Sequence, residues 1–308
     1  MKKKFFEELI KNKHIDTKIV VEVSSNHKGS FSDLKKLINI AVKLRVDVLK
    51  FQVYKPNTLS LKSKNSDFTI KSEKKWKNLK SRYEIYDRAH TPWKWIEKLS
   101  KILNKNKIPW FASPFDNSAI KFLEKIDCQA YKIASPEIND LNLIEEIAKK
   151  RKPIVISTGM ATLKDLDNAV KTIKKYHNKI IILKCTSTYP TLDFNELNLN
   201  LIKFLKKRYR CPIGYSDHTI GELAPIIATT LGASLIEKHF KLDDDKKSID
   251  SHFSMKISEY KNLKNNLLRV NNAIGNSKMF PLKISKKILN ERRSLYVVSD
   301  IKKGEKFT

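Results

Sequence analysis

Two histidines close consecutive short apolar runs: His218 ends Ile-Gly-Tyr-Ser-Asp-His at 213–218, and His239 ends Leu-Ile-Glu-Lys-His at 235–239. A stretch of helical pattern separates them. If the two runs are neighbouring parallel strands, both imidazoles reach one rim, and that rim is where such folds do their chemistry. Two neutral imidazoles with open positions beside them suit a labile divalent ion such as Mn²⁺. His27 is a third candidate on the same rim. Lys50 and Lys132 lie inside apolar runs, so each must point into a barrel mouth or carry a large desolvation cost. With hydroxyls at Ser113, Ser135, Ser187 and Ser216, two lysines describe an anion site that matches a phosphate plus a carboxylate. Glu22 ends another apolar run. It acts as general acid or base if burial raises its pKa, or it pairs with a barrel lysine.

The segments that must position these residues alternate in type. Strands are predicted at 18–23, 46–53, 108–113, 129–134, 153–158, 179–184, 212–215 and 234–238. Helices are predicted at 32–44, 93–104, 118–125, 141–149, 163–176, 198–207, 221–231 and 258–274. In the first of these, Leu34, Leu37, Ile38, Ala41 and Val42 share one face. Eight strands in alternation with helices predict an α/β fold, a (β/α)8 TIM barrel. A doubly wound open sheet is the alternative, but it usually carries a glycine-rich turn after its first strand, and only Gly29 is present there. A polar insertion at 55–91 follows the second strand. The expected domains are a barrel at 1–274, a linker at 275–291, and at 292–308 a new strand pattern with a turn at Lys303-Gly304. So short a tail cannot bury a core of its own, so it reads as the start of something larger or as an arm for another subunit.

Composition excludes several classes. At 41% hydrophobic the chain is globular, and no apolar run approaches the ~20 residues of a membrane span. Glu7 and Glu8 interrupt the basic start, so no signal peptide is expected. Cys128, Cys185 and Cys211 are scattered, which fits a reducing, cytoplasmic setting without disulfides. The net charge is +29, yet Lys supplies 53 of the 62 basic residues. Arg is the side chain that reads phosphates and base edges in bidentate fashion. No nucleic-acid partner is therefore expected, and the basic field would instead gather an anionic substrate. His14, His90 and His177 read as hydrogen-bonded structural residues.

The strand ends, taken together, resemble the sialic acid synthase family. The residues that carry the resemblance are 22–29, Lys50-Phe-Gln52, Ser113-Pro-Phe-Asp116, Tyr131-Lys-Ile-Ala-Ser135, Ser157-Thr-Gly159, 185–190, Ser216-Asp-His-Thr219 and Glu237-Lys-His-Phe240. Within the family, residues 83–95, 248–254 and Arg293-Ser-Leu-Tyr296 resemble the pseudaminic acid synthase branch, with N-acetylneuraminate and legionaminate synthases as alternatives. The resemblance implies condensation of phosphoenolpyruvate with an N-acetylated amino sugar, for this branch 2,4-diacetamido-2,4,6-trideoxy-L-altrose. It implies that Lys50, Lys132, Ser113, Ser135, Ser187 and Ser216 hold phosphoenolpyruvate, and that Gln52, Glu137, Tyr189 and Asp250 face the sugar. It further implies that His218 and His239 bind a divalent metal (Mn²⁺, with Mg²⁺ or Co²⁺ as alternatives) and that Glu22 handles protons. The family also carries a C-terminal antifreeze-like (SAF) domain, which in a homodimer gives an Arg to the partner's sugar site. Only its first strand is expected here, which leaves a catalytically impaired sugar-binding barrel as a second function. One departure lies at Ala41-Val-Lys-Leu-Arg45, where relatives usually have an Ala-Gly turn.

Overall fold

The computed structural model describes residues 4–11, 16–70, 79–275 and 288–306. Residues 71–78 of the polar insertion, most of the expected linker and His14 lie outside the described residues. The eight apolar runs become β1 Lys18–Glu22, β2 Val48–Val53, β3 Trp110–Pro114, β4 Tyr131–Ile133, β5 Ile154–Ser157, β6 Ile180–Cys185, β7 Ile213–Asp217 and β8 Leu235–Lys241. Apart from Lys18 and Gln52, every residue in them is buried. Continuous apolar runs of this kind belong to parallel strands covered on both faces. All neighbours pair in parallel and in sequence order, and β1 also pairs with β8, so the sheet closes into a barrel.

The helices are α1 Lys4–Lys11, α2 Phe31–Lys43, α3 Pro56–Leu59, α4 Arg82–Ala89, α5 Trp93–Lys105, α6 Asn117–Lys125, α7 Leu141–Ala148, α8 Leu163–Lys174, α9 Leu201–Tyr209, α10 Leu223–Thr230 and α11 Ile257–Ile274. The α2 stripe is typical: Leu34, Leu37, Ile38 and Ala41 are buried against the barrel, and the Ser30 side chain caps the helix by accepting from the Asp33 N–H. Each such leucine or isoleucine contributes about 1.5–3 kcal/mol by leaving water. None of the described helices is long and apolar enough to cross a membrane.

Side chains alternate across a strand, so the mouth can be read in layers. Val48, Phe111, Val155, Leu183 and Leu235 each sit two residues before an inward polar residue: Lys50, Ser113, Ser157, Cys185 and Glu237. The barrel is therefore apolar below and polar at its carboxyl end. That one layer is the platform on which chemistry is possible.

Four features differ from the sequence expectation. First, α1 is a helix: Phe6 and Leu9 are buried, and the Phe6 ring meets Phe111 edge-on at 5.1 Å. It closes the barrel from below, and its many charges hide its short apolar stripe. Second, β9 Met255–Lys256 extends the sheet beside the end of β8, through Phe240↔Met255. Third, the insertion at 55–91 contains α3 and α4. Fourth, the strand expected at 292–308 is not formed among the described residues, which are exposed and hold a turn at Lys303-Gly304. The chain divides into a unit at Met1–Ala273, which holds the barrel, and a second at Ile274–Thr308. At the Ala-Gly departure, Arg45 adopts φ 49°, a left-handed conformation that glycine takes without strain.

Candidate active site

The floor of the mouth is an ionic lattice. Lys50 Nζ lies 2.8 Å from Glu22 Oε2 and 2.7 Å from Glu237 Oε1, and Lys132 Nζ lies 2.8 Å from the same Glu237 oxygen. All four side chains are nearly inaccessible to solvent. Sheet register assembles them, because Glu22 pairs with Lys50 on one side and with His239 on the other. The two lysines are thus charge-compensated, a pairing that the sequence left open for Glu22 and did not foresee for Glu237. Each ammonium has three N–H donors. Lys50 gives two to carboxylates and Lys132 gives one, which leaves three for a ligand.

The lattice also sets protonation. Burial alone would raise the Glu22 carboxyl, but Lys50, His239 and Lys132 outweigh it and hold the group at about 2. Of the two readings of Glu22, pairing with a barrel lysine is the one found; a pKa raised by burial is not. Burial likewise opposes the lowered Glu237 and is outweighed by Lys132 and Lys50. Lys50 is raised because Glu22 and Glu237 overcome its desolvation. For Lys132 burial prevails, aided by the charge of Lys50, and it is lowered. Gln52 Nε2 donates to Glu22 Oε1 at 2.7 Å and Ser216 Oγ to Glu237 Oε1 at 3.2 Å, which fixes both side chains.

The two histidines face each other over this floor, with ring centroids 5.6 Å apart. His218 Nδ1 lies 2.9 Å from the Thr186 carbonyl oxygen. A proton on Nδ1 leaves the Nε2 lone pair bare. His239 Nε2 is 3.3 Å from Glu22 Oε2, and its buried Nδ1 has no hydrogen-bond partner at 3.5 Å from Asp250 Oδ2. Two neutral imidazoles are donors of the kind that suit a labile divalent cation. Among the described residues no group of three or more His, Cys, Asp and Glu is arranged to hold a metal, so this pair is not a closed structural site of the zinc kind. His27 does not join it. Its Nδ1 accepts from the Gly29 N–H at 3.0 Å, its ring meets Trp95 edge-on, and burial lowers its pKa.

An inner cavity of about 60 Å³ lies between the lysines and the histidines. Among its lining atoms, Ser113 Oγ, Ser157 Oγ and Glu237 Oε2 are buried without a partner. Buried polar atoms are normally satisfied, so this cluster is what a polar ligand would complete. Ser135 Oγ accepts from the Gly159 N–H at 3.0 Å. A Cβ on Gly159 would collide with Ser187 Oγ and come within 2.9 Å of both Cys185 Sγ and Ser135 Oγ, so only glycine lets the backbone approach this closely. Ser187 lies behind that wall, 3.7 Å from Cys185 Sγ, and is not among the residues lining the cavity. The Cys185 thiol, which burial would raise, is drawn down to about 6 by His218, Lys132 and Ser135.

The inner cavity opens, through shared residues Gln52, Tyr189 and His239, on an outer chamber of about 560 Å³. Tyr189 packs over His218 at 4.2 Å between centroids. Asp250 lines the chamber and is held well below the usual carboxylate range, because His239 and the hydroxyls of Ser24 and Ser25 outweigh its burial. Its loop is braced from behind: buried Lys241 donates to the Asp245 and Ser251 carbonyls at 2.8 and 2.7 Å, and Asp250 N donates to Ser25 Oγ at 3.2 Å. Glu137 ends a one-turn helix after β4 and lines neither cavity. Burial pushes its carboxyl up to about 7, with Lys132 opposing.

Of the residues expected at the site, Glu22, Lys50, Gln52, Ser113, Lys132, Ser135, Tyr189, Ser216, His218 and His239 line the inner cavity, and Asp250 lines the chamber. Four others were not assigned roles from sequence: Glu237, Ser157, Gly159 and Cys185. Period two could have found Glu237, because it shares a strand face with His239.

Residues 37–279 match the NeuB family. The chain is 41% identical to the pseudaminic acid synthase of Campylobacter jejuni, over 94% of this chain and 84% of that protein. It is 38% identical to the Helicobacter pylori pseudaminic acid synthase, over 94% of this chain and 85% of that one. Among solved structures, N-acetylneuraminic acid synthetase from Leptospira borgpetersenii superposes with a TM-score of 0.80 at 28% identity, covering 92% of this chain and 93% of that chain.

Proposed function

The chain belongs to the NeuB family, and on that premise we propose that it is a phosphoenolpyruvate-dependent nonulosonate synthase of the pseudaminic acid type. It joins phosphoenolpyruvate, an N-acetylated amino sugar and water to give a nine-carbon acid and phosphate. The sugar is 2,4-diacetamido-2,4,6-trideoxy-L-altrose, in keeping with the named relatives. The observation that supports this most is the joined pair of cavities: a small ionic one sized for a compact anion, and a larger one meeting it at His239.

In this reading the three spare ammonium protons of Lys50 and Lys132 hold the phosphate and carboxylate of phosphoenolpyruvate. The unpartnered hydroxyls of Ser113 and Ser157 complete the shell, with Ser135 and Ser216 around it and Ser187 outside it behind Cys185. Glu22 and Glu237 stay ionised and keep both lysines protonated and in place. His218 and His239 would hold a divalent ion, which when bound supplies a Lewis acid for the open-chain aldehyde of the sugar. Carbon 3 of phosphoenolpyruvate then attacks the aldehyde carbon, and positive charge develops at carbon 2 beside the ionised Glu22. Water adds to carbon 2 and its proton passes to the former aldehyde oxygen. Phosphate departs with cleavage of its bond to carbon 2, taking the hydroxyl proton as the ketone forms, while the ionised Glu22 stabilises the developing charge. Gln52, Tyr189 and Asp250 orient the sugar, and Glu137, which lines neither cavity, is not given a part. Holding both substrates converts a bimolecular step into an effectively unimolecular one.

The test is phosphate release by the pure protein with phosphoenolpyruvate, Mn²⁺ and a panel of acetamido sugars. Release that requires both a sugar and the ion supports the reading. No release with any N-acetylated hexose or its 6-deoxy relatives contradicts it.

A further inference from the structure

The helix α4, in the insertion after β2, buries none of its eight residues. Glu84, Asp87 and Arg88 face solvent, while Ile85, Tyr86 and Ala89 are half-buried and line the outer chamber. A helix that buries no residue of its own has its apolar positions explained largely by the cavity they wall. The same chamber is lined by Ile249, held beside Asp250 by the brace from Lys241 and Asp245. Both stretches singled out in the sequence as branch-like, 83–95 and 248–254, therefore line one chamber. Ile85, Ala89 and Ile249 line only this chamber, whereas Gln52, Tyr189 and His239 also line the inner cavity. A sugar whose reacting end met the shared residues would have its far end against the apolar ones.

We infer that α4 and the segment at 249–253 are the specificity wall of the sugar chamber, and that Ile85, with Ala89 and Ile249, selects an amino sugar whose far end bears methyl groups over one that bears free hydroxyls there. This rests on the reaction proposed above. The methyl groups are those of a deoxygenated carbon or of an N-acyl substituent. A hydroxyl against this wall loses its water and finds no donor or acceptor on Ile85, Ala89 or Ile249. The wall is held firmly, since Ser81 caps α4 at the Glu84 N–H and the Tyr86 ring packs on buried Tyr54 at 5.9 Å. An added hydroxyl in an apolar pocket costs roughly 10- to 100-fold in selectivity.

The experiment compares 2,4-diacetamido-2,4,6-trideoxy-L-altrose with N-acetylmannosamine, by calorimetric Kd and by kcat and KM, in the native protein, Ile85→Ser, Ile85→Val and Ile249→Ser. The native protein is expected to favour the deoxy sugar. Ile85→Ser is expected to narrow the preference about 10-fold, through KM more than kcat, and Ile85→Val to keep it. An unchanged ratio of Kd values in a folded Ile85→Ser or Ile249→Ser overturns the inference, as does a fall in kcat alone. Binding needs no turnover. Absence of phosphate release with both sugars would contradict the reaction, while the Kd ratio would still decide the wall.

Discussion

In the inner cavity two lysines and two carboxylates neutralise one another within 2.7–2.8 Å, and every partner belongs to a barrel strand. The outer chamber is walled by loops and by a helix from an insertion, and its far side is apolar; Glu137, which follows β4 and lines neither cavity, is raised by burial. Two glutamates at the same barrel mouth therefore take opposite protonation: Glu22 is driven down to about 2 and Glu137 up to about 7. Burial acts on both in the same sense, and what differs is the adjacent lysine. The floor is thus built for fixed charge and the chamber for shape.

Removing a carboxylate from the floor should have the largest effect. Glu237→Ala leaves Lys50 and Lys132 with one carboxylate between them, and loss of one partner of a buried ion pair costs about 3–5 kcal/mol. Urea unfolding checks this; a cost below about 1 kcal/mol would mean that the lattice is solvated. His239→Ala should lower metal-dependent turnover by about 100- to 1000-fold while the melting temperature is kept, and unchanged activity would remove the metal assignment. The two glutamates give the third test. For Glu137 the folded pKa is raised, so its stabilising contribution is present below about 4.5 and is lost as pH rises through about 7. For Glu22 it is lowered, so stability is present above about 4.5 and is lost as pH falls toward about 2. Accordingly Glu137→Gln should gain on the native protein by about 2 kcal/mol between those pH values, less than full burial would give because the residue is partly exposed. A flat difference across that window would show that Glu137 is solvated like a surface carboxyl. The smallest effect belongs to Gly159→Ala, where displaced Ser187 and Ser135 should raise KM for phosphoenolpyruvate about 10-fold and leave the sugar KM unaltered.

The floor was more legible in the sequence than the chamber, for a physical reason. Strand-borne polar residues interrupt apolar runs, so Lys50, Lys132 and His239 stand out in a linear reading, and the barrel's regular register turns strand position into spatial position. What the sequence left open there was sign: whether Glu22 is raised or lowered depends on a lysine 28 residues away that the register places beside it. The chamber depends on irregular segments. Helix α4 has no buried stripe to announce it, and β9 is two residues long. His27 looked equivalent to the other strand-end histidines, and only the turn that seats it against Gly29 and Trp95 separates it from them.

The claim that the two cavities serve one bond-forming step is tested most directly by carbon tracing. The protein is incubated with Mn²⁺, the diacetamido sugar and phosphoenolpyruvate uniformly labelled with ¹³C, and the products are resolved by mass spectrometry. The expected result is a nine-carbon acid that carries all three labelled carbons, in amounts equal to the phosphate released. Phosphate accompanied by labelled pyruvate, with no such acid, would contradict it.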